Sequence, residues 1–481
     1  MRSTLSSVLP VLAIAALLTG CTSLGTLKPA TPAVAAFWHA TLPHGGRTAD
    51  LVAWWASFKD PSLDALLYMA DRENPTIEQA VANIDKARAT LDSTASGLFP
   101  SLDGSTSASR EGNKGNDNNR LTAGTTKSGG LDSAWEIDLF GKTKKQVRAA
   151  ASRAAGEVWS WHDARVSIAA EVGDDYVQYR ACRELERLYR DELASQTATI
   201  RATERSAQSG FTSTADLALA RASAAASSSS LTAQRGECEI LIKSLTQLTG
   251  GDEPAVRRLL DQGKRRIPQP SAVRITAVPA DVLRQRPDVN ALEAEVAATI
   301  SDVGAAKADL YPSLSLSGSI SISQSSVTGR SVPWSFGPAL SVPLLDGGAR
   351  RAAVRSAVAD YDIAVANYKS GVLGAVAEVE TALLRVETAL LRVDTALRRI
   401  ADAKSAADNY QRYFRAVDQN WASGGVSILD REEARRSAQS AAITLIEIRR
   451  DAVQYWIALY KALGGGWSIP TAAASSAREL N

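Results

Sequence analysis

The residues with most chemistry to offer are two carboxylates. Asp430 and Glu433 follow Gly424 by six and nine positions (430 − 424 = 6; 433 − 424 = 9) and stand three apart, so a helix puts them on one face. Acids on one face attract cations; they do not by themselves break bonds. Arg431, Glu432 and Arg435 crowd the same stretch and keep a plainer reading open, an ordinary solvated helix face. Nothing else reads as a reaction centre. No nucleophile, base and acid form a set, no Gly-x-x-x-x-Gly-Lys loop offers a nucleotide site, and His39, His44 and His162 lie far apart. The expectation is a protein that is not an enzyme, with no resident metal or cofactor.

The glycine that sets this spacing belongs to a long repeat. Asn74-Pro75-Thr76 opens an alanine-rich run that closes at Leu98-Phe99-Pro100-Ser101-Leu102, and Arg286-Pro287-Asp288 opens another that closes at Leu310-Tyr311-Pro312-Ser313-Leu314. Both prolines recur at one offset (287 − 75 = 212; 312 − 100 = 212). Ser209-Gly210 with Asp216 returns as Ser423-Gly424 with Asp430 (430 − 216 = 214). A period this long marks a duplicated structural unit, and two copies in one chain suit a ring or tube. Gly210 and Gly424 read as the tip turns that end outgoing helices.

Helix must dominate. Gly141 to Ser209 is 209 − 141 = 68 residues without proline, about 100 Å as one helix. Asp346 to Ser423 is similar. Gly156, Gly173, Gly371 and Gly374 are candidate bends. Val379-Glu380-Thr381-Ala382-Leu383-Leu384-Arg385 repeats almost verbatim from Val386, and valine returns again at 393; this heptad keeps one face toward a neighbouring helix. The second copy is longer: Phe140 to Gly210 is 70 residues, Leu345 to Gly424 is 79 (210 − 140; 424 − 345). About two of the surplus belong to the Asp346-Gly347-Gly348 turn and seven fit one duplicated heptad. Since both helices join the same two ends, a break or bulge is expected within 375–400.

Between helices the texture changes. Ser105, Ser107 and Ser109 alternate with small residues, and Gly130 to Leu139 alternates again after a polar stretch. Leu314, Leu316, Gly318, Ile320 and Ile322 alternate with serines, then a turn near Val327-Thr328-Gly329 leads to Trp334, Phe336, Leu340, Val342 and Leu344. Each copy supplies one hairpin. Four strands cannot close a barrel, yet an apolar/serine alternation suits a wall with lipid on one side and water on the other.

With 54 basic and 52 acidic residues the net charge is +2, so no nucleic-acid partner is indicated. At the start, Val8 to Leu18 is apolar but too short to span a bilayer and runs into Leu18-Thr19-Gly20-Cys21. That resembles the bacterial lipoprotein box, which implies covalent lipid on Cys21. Each buried methylene of such a chain contributes about 0.8 kcal/mol of anchoring. Thr22, not aspartate, follows, which implies outer-membrane sorting. Cys182 and Cys238 flank Gly210 symmetrically ((182 + 238)/2 = 210), at similar heights on two antiparallel helices. A disulfide needs Cα atoms within about 7 Å, closer than packed axes usually lie, so free buried thiols are favoured over a bond. The organisation expected is a signal peptide at 1–20, a tether and equatorial segment at 21–62, and a first repeat at 63–275 (hairpin about 99–140, tip near 210). A second repeat at 276–465 (hairpin about 311–345, tip near 424) and a tail at 466–481 follow.

Taken in order, Trp54-Trp55 with Asp60-Pro61 and Leu63, Asn74-Pro75, Trp135-Glu136-Ile137-Asp138-Leu139-Phe140-Gly141, Val278-Pro279-Ala280-Asp281-Val282-Leu283 with Arg286-Pro287-Asp288-Val289, and Val342-Pro343-Leu344-Leu345-Asp346-Gly347-Gly348 resemble the outer membrane factor family, the TolC/OprM/NodT type of efflux lipoprotein, over nearly the whole mature chain. The fold this implies is mainly α with a small β part: long antiparallel coiled-coil helices, two hairpins per chain, and a homotrimer whose 3 × 4 = 12 strands form one barrel in outer-membrane lipid, continued by a helical tunnel in the periplasm. The partners implied are a membrane-fusion adaptor at the tips and an inner-membrane pump of the RND type. The function implied is a passive exit duct for drugs or other small molecules. By the same resemblance Asp430 and Glu433 carry over the acidic constriction, Glu433 standing where aspartate is usual. Asp216 matches the acid of the first tip and Arg436 an arginine of many members. Trp421 replaces the tyrosine of the closed gate, and Val426 stands where some members place arginine, so the latch differs. A duct for protein secretion of type I uses the same architecture; a coiled-coil envelope lipoprotein without a pore is a further alternative.

Overall fold

The computed structural model describes residues 45–46, 54–114, 121–270, 275–276 and 286–465. The signal segment, Cys21, most of the tether, the motif at 278–283 and the tail at 466–481 lie outside them. The chain opens with β1 (Gly45–Gly46), then α1 (Pro61–Glu73) and α2 (Pro75–Ser96), followed by β2 (Ser101–Lys114), β3 (Leu121–Ile137), α3 (Lys142–Gln208), α4 (Thr214–Thr249) and α5 (Glu253–Gln262). β4 (Ile275–Thr276) pairs with β1. The second copy runs α6 (Pro287–Ala308), β5 (Ser313–Ser325), β6 (Gly329–Ser331), β7 (Trp334–Ser341), α7 (Ala349–Ala422) and α8 (Ile428–Ala462).

Local chemistry starts the helices where expected. Asp60 accepts from Ser62 N at 3.1 Å with Pro61 in the first turn, an N-cap with proline where no donor is needed. Asn74 caps α2 by accepting from Thr76 N and Ile77 N. Its amide also donates to Leu248 O at 2.6 Å, at the far end of α4. In the second copy Arg286 donates to Ala462 O at 2.8 Å, at the end of α8. The offsets of donor and acceptor (286 − 74 = 212; 462 − 248 = 214) are those of the sequence repeat. Each copy is thus tied from the start of its short helix to the end of its return helix.

The core where these ties meet is aromatic. Trp54 is fully buried, stacks on Tyr460 at 5.7 Å and contacts Trp456 at 5.9 Å. Tyr176 donates to Asp60 at 2.9 Å, and burial, the larger cause, with the nearby Asp60 raises its phenol above the usual range.

The strands form one antiparallel row, β2-β3-β5-β7, with short β6 beside β7 on β5. Register puts like with like. Leu131 faces Ile320, which faces Trp334; Trp135 faces Leu316; Leu314 faces Leu340. The other face carries hydroxyls, such as Ser319 bonded to Ser335 and Ser107 to Ser128, each at 2.9 Å.

Two expectations need correction. α7 is one continuous helix of 74 residues against 67 for α3, with no break or bulge in 375–400. A whole heptad returns the same face to the neighbour within about 20°, so adding one lengthens the helix without forcing a defect. The thiols are not free. Cys182 and Cys238 are bonded, with Cα atoms 5.7 Å apart, because the two positions face each other directly across α3 and α4. Two of the helical glycines have packing reasons: a Cβ at Gly173 would lie 2.5 Å from the Trp55 ring and one at Gly371 2.3 Å from Leu292, whereas one at Gly156 would make an ordinary contact with Ala294 at 3.4 Å.

Candidate functional site

Both outgoing helices end in the same way. At the first tip Gly210 has φ +73° and its N–H reaches Ala207 O, while Phe211 N reaches Ser206 O. At the second, Gly424 has φ +80°, with Gly424 N to Trp421 O and Gly425 N to Asn420 O. These paired bonds close orphan carbonyls through a left-handed residue. Three residues on, a serine starts the return helix in each copy. Ser213 and Asp216 form a reciprocal capping box at the start of α4, and Ser427 and Asp430 form one at the start of α8. Asp430 Oδ2 accepts from Ser427 Oγ at 2.6 Å and from Ser427 N at 3.2 Å. The recurrence of an acid six residues after the tip glycine therefore has a structural cause. The Ser-x-x-Asp spacing carries that signal in the sequence, and the charge reading passed over it.

Asp430 and Glu433 are both exposed on one face of α8. Glu433 pairs with Arg436 at 3.2 Å on the same face, which offsets part of its charge. Asp216 is half-buried and bonds within its own turn. Trp421 is not joined to it; its ring lies under the Arg431 guanidinium, 4.7 Å from the centroid, a cation–π contact. Arg431, Glu432 and Arg435 are not a solvated face. They are 4%, 2% and 7% exposed and packed against α3, so the mixed charges that argued for a plain surface helix are interior. Among the described residues no group of three or more His, Cys, Asp or Glu is placed to hold a metal, and no helix is long and apolar enough to cross a membrane.

The profile of the outer membrane efflux protein family matches residues 66–251 and 278–465. The chain belongs to that family. The match comes in two stretches, one for each copy of the hairpin and helix pair. Within the outer membrane efflux protein family, the chain is similar to nodulation protein T of Rhizobium leguminosarum bv. trifolii, 29% identical over 441 residues, 89% of this chain and 92% of that protein. It is similar to the toluene efflux pump outer membrane protein TtgI of Pseudomonas putida, 27% identical over 432 residues, 86% and 87% of the two chains. Among solved structures it is similar to the outer-membrane channel OprN, with 27% identity, a TM-score of 0.76, and coverage of 93% of this chain and 100% of that one.

Proposed function

We propose that this protein is the outer-membrane channel of a tripartite efflux system, a passive duct made by three copies of the chain. The β-sheet carries the reading. Its outer strands β2 and β7 each have one edge without a partner among the described residues, and its apolar face leaves Trp334 76%, Phe336 72% and Leu340 65% exposed. Open edges and an exposed aromatic face are liabilities in a water-surrounded monomer. Joined edge to edge, three sheets give 3 × 4 = 12 strands, a closed wall with lipid outside and hydroxyls within. The α3/α4 and α7/α8 pairs continue that wall as a tunnel. Lipid on Cys21 supplements the anchor. A membrane-fusion adaptor at the tips and an inner-membrane pump of the RND type complete the route. A duct lined by small polar groups does no chemistry on its cargo, so neither an enzyme activity nor a cofactor is part of the reading. Deleting the gene should raise susceptibility to several small toxic compounds, and the cloned gene should reverse this. Unchanged susceptibility with loss of a secreted polypeptide would assign the duct to protein secretion instead.

At the tips, three copies turn Asp430 and Glu433 into two rings of carboxylates, a cation-selective constriction. Asp430→Asn with Glu433→Gln removes six charges per trimer while an amide oxygen can still accept the capping bond. A unit charge pair about 4 Å apart is worth about 1 kcal/mol in water, so the cation-to-anion permeability ratio in planar bilayers should fall about fivefold in 0.1 M salt. The loss should shrink at 1 M salt, where the screening length is about 3 Å. A variant as selective as the parent removes the constriction role.

A further inference from the structure

The tip-ward part of α3 buries a polar row. Glu192, Gln196, Thr199 and Thr203 follow at intervals of four, three and four (196 − 192; 199 − 196; 203 − 199), the spacing of a coiled-coil contact line. Gln196, Thr199 and Thr203 are at most 2% exposed, and the Glu192 side chain is 10% exposed. Nearer the aromatic core the same helix buries Val166, Ile168, Val172 and Val177 instead. Against the polar row lie Arg431, Glu432 and Arg435 of α8. Arg435 pairs with both Glu192 and Glu432. Arg431 donates to Thr199 Oγ1 at 2.7 Å, to Asp418 of α7 at 2.6 Å and to Glu432 at 3.2 Å. Gln196 donates to Glu432 at 3.2 Å and Glu192 at 3.3 Å. One cluster thus grips three helices.

Such a cluster is a poor glue. Burial raises the Glu192 carboxyl above its ordinary range and lowers the Arg435 guanidinium, so for both partners loss of water outweighs the pairing. Gln196 Oε1 and Arg435 Nε have no partner at all. What a directional cluster supplies, and an apolar contact does not, is one fixed orientation. At 100° per residue, 431, 432 and 435 lie on the side of α8 opposite 430 and 433.

We infer that Arg431, Glu432 and Arg435, gripped by Glu192 and Thr199, are positioning residues that set the rotation of α8 about its axis and so aim Asp430 and Glu433 away from α3. This rests on the constriction reading above, and the test separates the two. Full-length protein is recorded in planar bilayers as the parent, as D430N/E433Q, as Glu192→Leu with Arg435→Leu, and as Thr199→Val. The leucine pair removes one charge of each sign, so it leaves net charge unchanged and Glu432 still bonded to Arg431. Its cation preference should fall at least about halfway to that of D430N/E433Q, while the trimer melts no lower than the parent, a combination that a merely structural role would not produce. If the leucine pair assembles with parental selectivity while D430N/E433Q loses it, the positioning role is overturned and the constriction stands. If D430N/E433Q itself is unchanged, both are overturned. If the leucine pair does not assemble, Thr199→Val, which alters no charge, decides in its place: lowered selectivity supports the positioning role and parental selectivity overturns it.

Discussion

Replacing Cys182 and Cys238 with alanine is expected to destabilise the α3/α4 pair by about 4 kcal/mol, the chain entropy released when a closed loop of some 56 residues is opened. The bond spans two helices at positions only 5% and 2% exposed, so reductant alone will act slowly on the native protein; the substitution is the cleaner measurement. Alanine also leaves no buried hydroxyl without a partner, as serine would. The expected readouts are a lowered melting temperature and faster amide exchange along α3 and α4. α7 and α8 should keep their protection, because the chain's remaining cysteine is Cys21 and no such pin joins the second pair. Equal melting of parent and variant would mean that packing already holds the two helices in register and the bond adds nothing. Alkylation of denatured parent protein gives an independent check, since neither thiol should react until reductant is added.

Much of the architecture was legible because it depends on order along the chain. The proline and glycine offsets survive as physical ties, Asn74 to Leu248 and Arg286 to Ala462. The serine alternation became strands whose apolar residues pair across the sheet. What stayed hidden depends on rotation of one helix against another. Whether Cys182 meets Cys238 turns on which way each faces, and spacing from a tip gives only their height. Burial of Arg431, Glu432 and Arg435 depends on Glu192, Gln196 and Thr199, more than 200 residues earlier (431 − 199 = 232). A charged stretch on a helix reads as solvated unless its partners are known. The capping role of Asp430 was different. Ser427-x-x-Asp430 is local and readable, because the spacing alone marks a capping box.

Glycine shows the same division, and it yields the sharpest test of the fold. The sequence draws the eye to Gly210 and Gly424, which do occupy left-handed turns, yet a Cβ at either would meet nothing within 4 Å. Gly424→Ala should therefore cost about 1 kcal/mol, the strain of the backbone alone. Gly250 has φ +67°, and a Cβ there would stand 1.9 Å from the backbone oxygen of Glu73 and 2.6 Å from its carbonyl carbon. No side-chain rotation relieves a clash with main chain. Gly250→Ala should cost about 3 kcal/mol or more, strain and overpacking together. It should also pull Leu248 away from Asn74, the tie that closes the first copy. Gly464 holds the equivalent place in the second copy (464 − 250 = 214), with φ +81° and Arg286 Cα 3.1 Å from the added carbon. Its substitution should fall between the other two. Melting temperature and yield of assembled protein, measured on all three variants, should rank Gly250 as most damaging, then Gly464, then Gly424. If Gly250→Ala melts with Gly424→Ala, the junction of α1 and α2 with the end of α4 is soft. The bond from Asn74 to Leu248 would then add little to the closure of the first copy.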